Sequence, residues 1–139
     1  MKNIITVGLS LTSIRAKISA QCAWVDATNM AVLPPVLNPL EAVDISTVIT
    51  AQVSTILARY SGWVTSQHTD GDILRIDLQV GPSQQSMLTG ISTLIEDIIV
   101  NSTLVALYSM QSEAEHICRT YGSILALAES SFKQMLAVP

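Results

Sequence analysis

The residues able to do chemistry are few and far apart. His68 and His116 are the only histidines, and neither has a carboxylate or cysteine at metal-ligand spacing. His116 and Cys118 are two positions apart, and residues so spaced do not share a helix face. Asp70 and Asp72 flank Gly71, but a calcium loop needs more oxygen ligands in series, so these acids read as turn residues. Glu96 and Asp97 are adjacent on a helical stretch and diverge by about 100°, which excludes a paired acid and base and leaves one of them to meet solvent or a basic group. Serine is abundant, yet no nucleophile elbow, phosphate loop or glycine-rich motif occurs. Cys22 and Cys118 stand alone, 96 positions apart, and read as small buried hydrophobes, a disulfide between them being neither required nor excluded. The expectation is a non-enzymatic chain with no cofactor and no metal.

Composition bounds the rest. The chain has 139 residues, 49% hydrophobic and 13% charged, about half the charge usual in soluble domains. Ser and Thr number 28 and outnumber the charged residues, and segments 45–58 and 98–112 carry no charge at all. A net charge of −4 and seven scattered Lys and Arg disfavour nucleic-acid binding, which needs clustered cations. A surface filled with Ser, Thr, Asn and Gln hydrates weakly and packs readily, which points to faces that meet other subunits. The N-terminus is not expected to be a cleaved leader, because Arg15 and Lys17 follow the weakly apolar stretch Ile4–Ile14. No membrane span is expected, because the charge-free run Leu78–Ile95 holds Gly81, Pro82 and several Gln and Ser.

The elements that must position these residues follow from periodicity. Ile4, Val7, Leu11, Ile14, Ile18, Cys22 and Val25 recur at steps of three and four, predicting a helix over about 3–21 with Gly8 weakening its interior. Residues 26–40 hold Pro34, Pro35 and Pro39 and read as a long loop whose apolar side chains either fold back onto the core or dock on a neighbouring subunit. Asn38, Pro39 and Glu41, or else Asp44, start a second helix ending near 61, with Ile45, Ile49, Val53, Ile56 and Tyr60 on one stripe. Leu74, Ile76, Leu78 and Val80 then alternate with polar residues, and Asp70–Gly71 before them signals a type I′ turn, so a two-stranded hairpin is expected over 63–80. A long helix over about 83–110 is apolar nearly all round and so buried on more than one side. Ser112 and Glu115 cap a last helix over about 112–136, with Ile117, Tyr121, Ile124, Ala128, Phe132 and Met135 on its stripe. The expected fold is a single mostly α (α+β) domain over 1–139: a four-helix core with an inserted two-stranded β-hairpin and a Pro-rich loop. Trp24 and Trp63, at element ends, are either core anchors or interface anchors. With Met30, Leu33, Leu37, Asp70 and Leu74 they are the interface candidates.

The order of these elements resembles a known family. It runs from a helix through a Pro-rich loop to a capped helix ending Ala58-Arg59-Tyr60. An Asp-Gly hairpin and a Gly81-Pro82-Ser83 break come next. A long helix with Ile95, Asn101, Leu104, Leu107 and Tyr108 and a terminal helix opened by Ser112 to Glu115 complete it. This resembles the head–tail connector, or head-completion, neck proteins of tailed bacteriophages, over about 100 residues. The resemblance implies a virion structural protein assembled in the host cytoplasm. It implies a ring, commonly twelvefold, between portal and tail, with portal, tail or further neck proteins as partners and a passive DNA channel without sequence-specific contact. It carries no catalytic residues. The apolar, Pro-rich loop over Met30–Leu40 and the low charge depart from the family's pattern. The alternative from a different class is a cytosolic helical adaptor or regulator that binds a partner peptide in a groove between helices.

Overall fold

A computed structural model describes residues 3–29, 45–110 and 114–137. Among these residues it is mostly helical, with four α-helices and a small antiparallel sheet. In chain order these are β1 (Asn3–Ser10), α1 (Leu11–Asn29), α2 (Ile45–Arg59), β2 (Val64–Asp70), β3 (Ile73–Val80), a 3-10 segment (Pro82–Met87), α3 (Leu88–Tyr108) and α4 (Glu115–Ala137). The sheet order is β1-β3-β2, so β3 is central and both outer strands run antiparallel to it.

The expected first helix over 3–21 is corrected at its start: Asn3–Ser10 is a strand, and the helix begins at Leu11. The hairpin is therefore two strands of a three-stranded sheet. Ile4, Val7 and Leu11 fit helical steps, but Ile5, Val7 and Leu9 fit a period of two equally well, and these three are buried. The run Ile-Ile-Thr-Val favours extended backbone, where β-branched side chains fit a pleated surface. β3 settles the choice: each β1 residue from Asn3 to Ser10 pairs with one from Val80 to Ile73.

The hairpin turn also differs. Strand pairing reaches Asp70 and Ile73, so the loop is Gly71–Asp72, with Gly71 at φ 60° and, among the described residues, no non-glycine residue at positive φ. That matches type II′, with glycine at the first central position, rather than type I′. A bulge between Val64 and Ser66 leaves Thr65 as the extra residue.

One face of the sheet is apolar. Ile5, Val7 and Leu9 from β1 and Leu74, Ile76, Leu78 and Val80 from β3 enter the core. α3 is the hub, packing on α1, α2, α4 and β1. Its buried Ile91, Ile95, Ile98, Ile99, Leu104 and Leu107 explain why it is apolar all round. By length and composition alone α3 is long and apolar enough to cross a membrane, and half of its apolar window is buried within the protein, so the expectation of no membrane span stays an expectation. Its buried Asn101 and Thr103 satisfy themselves inside the helix: Asn101 Nδ2 donates to the Asp97 carbonyl at 2.8 Å and Thr103 Oγ1 to that of Ile99 at 2.8 Å. The last helix keeps Ile117, Tyr121, Ala128, Phe132 and Leu136 as its buried stripe, while Ile124 is exposed rather than core.

Candidate interaction surface

The carboxylates in this protein hold elements together. Asp72, in the hairpin turn, caps α1 from across the chain. Its Oδ1 accepts the Thr12 N–H at 2.9 Å and the Thr12 hydroxyl at 2.5 Å, and its Oδ2 accepts the Ser10 hydroxyl at 2.7 Å. The Leu11 N–H donates to the Asp72 carbonyl at 2.8 Å, and the Ser13 N–H to Ser10 Oγ at 3.2 Å, so the first turn of α1 has few unmet donors. On the open face of the sheet, Asp77 accepts Thr6 Oγ1 at 2.7 Å from β1 and Ser66 Oγ at 2.6 Å from β2, bridging all three strands. Hydroxyl donors hold both carboxyls below their usual range: Thr12 then Ser10 for Asp72, Ser66 then Thr6 for Asp77.

The adjacent acids Glu96 and Asp97 diverge as expected. Glu96 meets Lys17 of α1 at 2.7 Å, and burial pushes the Asp97 carboxyl up. Arg59 of α2 pairs with Glu129 of α4, and Arg15 donates to Ser46 Oγ at 2.7 Å, tying α1 to the start of α2. Tyr121 donates its hydroxyl to Gln21 Oε1 at 2.9 Å, and burial raises its pKa. His68 lies on β2 and His116 on α4, and among the described residues no group of three or more His, Cys, Asp and Glu comes together as a metal site. Cys22 is buried, Cys118 is half-buried with its Sγ 3.6 Å from the Val105 carbonyl, and no disulfide joins them.

The interface candidates separate. Trp24 is 62% exposed and lines a cleft of about 270 Å³ between α1 and α4, with Thr28, His116 and Tyr121. Trp63 is half-buried against Tyr60, ring centroids 6.2 Å apart, and so serves the core as well as the surface. Asp70 is exposed at the end of β2. Leu74 is a correction: it is 2% exposed, because the central strand turns it into the core, and it is not free to meet a partner. Residues 26–29 of the expected loop belong to α1, while Met30, Leu33 and Leu37 lie outside the described residues.

Other surface features stand apart from those candidates. The exposed face of α2 is Thr47, Thr50, Ala51, Ser54, Thr55 and Ala58, with no charge before Arg59. Periodicity identified the buried stripe Ile49, Val53 and Ile56, and the opposite face of the same helical wheel was available to the same reading. Ile4, Met110, Ile124 and Leu127 are exposed large hydrophobics, Leu127 at 71%. Leu127 stands off the α4 stripe, which is the signal that marks it. Two further clefts follow the outer strands: about 320 Å³ between β2 and α2, and about 410 Å³ between β1 and α3. No protein-family model matches this chain, and no curated protein or solved structure is significantly similar to it.

Proposed function

We propose that this chain is a structural subunit of a tailed-phage neck, forming a head–tail connector ring between the portal and the tail. The observation that carries the reading is the uncharged outer face of α2, from Thr47 to Ala58, on a chain that also exposes Trp24, Met110 and Leu127. Such faces lose little hydration when covered, so protein contact costs them little. Repeated head-to-tail contacts about one axis close a ring. A net charge of −4 suits the wall of a DNA channel, because it repels phosphate rather than binding it. The order from α2 through the hairpin to α3 and α4 keeps the pattern of the resemblance, while β1 was no part of it, and the reading takes portal and tail or further neck proteins as partners.

A second reading, a helical adaptor that takes a partner peptide between helices, is favoured by the Trp24 cleft between α1 and α4. Negative-stain microscopy of the purified chain, alone and mixed with a phage portal, separates the two. The neck reading expects annular particles with a central hole that stack on the portal. Discrete single-chain particles that ignore the portal would contradict it.

A further inference from the structure

We infer that the sheet continues from one copy of this chain into the next, the free edge of β2 receiving the free edge of β1 of a second copy, in parallel. This deepens the ring reading, on which it rests, by naming the surfaces that join.

Both outer strands present, among the described residues, unused backbone. Among the described residues, no backbone hydrogen bond reaches the outward side of Ser66–Asp70 or Ile4–Leu9. A bare edge of this kind is a template for another strand, and proteins that must stay apart blunt it with Lys, Pro or inward charge. Neither edge does so. β1 has no charged residue and no proline, and β2 has only Asp70, at its end. β2 has six of its seven residues exposed, so almost nothing covers it from above or below. Ile4 on β1 is an apolar side chain left 62% exposed. The clefts beside the two edges leave room for an approaching strand: the α2 cleft has Ile49, Val53 and Leu74 among its apolar lining, the α3 cleft Thr89, Ser92 and Thr93 among its polar lining.

The occupant is a second copy because each copy offers both halves of the joint. By sequence alone, the stretch 30–44 makes a poor strand, because Pro34, Pro35 and Pro39 lack the N–H a ladder needs. Direction follows from topology. β1 and β2 both run antiparallel to β3, so they run the same way, and rotation about a ring axis preserves that. The joint is therefore parallel.

Area selects a ring over a pair. The bulge confines the regular edge to Ser66–Asp70, which spans roughly 17 Å of strand. A sheet layer with its helix is about 20 Å deep, giving about 350 Å² per protomer at one joint. An isolated stable pair needs about 800 Å² per partner. A protomer within a ring uses both edges and roughly doubles its contact, and the last joint closes within one assembly.

The test uses the full chain carrying Cys118→Ser, with Cys22 left buried. Ile4→Cys and His68→Cys are made separately; both positions lie on the open face of the sheet. Each variant is treated with a short bis-maleimide, alone and in an equal mixture, and the products are read by mass. The expected result is a cross-link between unlike variants at least tenfold above either variant alone, and a ladder of multimers when one chain carries both substitutions. Annular particles that give only His68→Cys pairs, or no mixed cross-link, would overturn the β1–β2 joint while leaving the ring intact. A chain that stays monomeric and uncross-linked would overturn both.

Discussion

Phe132→Ala is the perturbation that tests the packing of the core most sharply. Phe132 is 2% exposed on α4 and sits edge-on to Tyr60, ring centroids 4.9 Å apart and planes at 78°. Tyr60 closes α2 and leads through Trp63 into the hairpin, so this aromatic group fastens α4 to α2 and the sheet. Removing the ring loses transfer free energy and leaves a cavity, together about 4 kcal/mol, of which about 1 kcal/mol is the aromatic pair. A chain of this length is stable by about 10 kcal/mol, so nearly half would go. At roughly 4 °C per kcal/mol the melting temperature falls by about 15 °C. Urea titration followed by far-UV circular dichroism and by tryptophan fluorescence measures it, at several protein concentrations so that assembly is separated from folding. Trp63 reports the transition, since Trp24 is already largely in solvent. Phe132→Leu keeps most of the volume and costs about 1 kcal/mol. If both variants lost less than about 1 kcal/mol, or lost equal amounts, Phe132 would not be packed as described.

Other outcomes follow from the same contacts. Asp72 and Asp77 have lowered carboxyl pKa values, so their contribution is present above the unfolded carboxylate pKa and is lost as pH falls through the lowered folded value; acid unfolding therefore steepens below about pH 4, and Asp72→Asn with Asp77→Asn flattens it. Asp97 has the opposite sign, its pKa raised first by burial, so Asp97→Asn raises the urea midpoint at pH 7 and loses that advantage in acid. Lys17→Met breaks the partly exposed pair with Glu96 and costs about 0.5 kcal/mol, less in high salt, by thermal melts at two ionic strengths. Thr50→Glu with Ser54→Glu on the open face of α2 changes monomer stability by no more than about 0.5 kcal/mol but removes self-association in size-exclusion chromatography.

Local signals carried α2, β2–β3 and α4 into view. Ile49, Val53 and Ile56 repeat at helical steps, and Leu74 to Val80 alternate after a glycine turn, so a short window of residues decides each. β1 was not legible because Ile4 to Leu11 satisfies two periods at once, and the arbiter is a strand about seventy residues away. For the same reason the cap on α1 was hidden: Asp72 reads as a turn residue until the sheet brings it to Thr12. Leu74 is core rather than interface because β3 is the central strand, and alternation shows that a strand has an inner face without showing that the strand is central. The low charge that suggested contact surfaces was visible in composition alone; which face carries them required the helix to be placed.

Sedimentation velocity of the purified full chain, across a wide concentration range, tests the central claim most directly. The account predicts a single closed multimer, of a mass that is a fixed multiple of 14.9 kDa, in exchange with monomer and with little dimer between. A lone 14.9 kDa species at every concentration would contradict it.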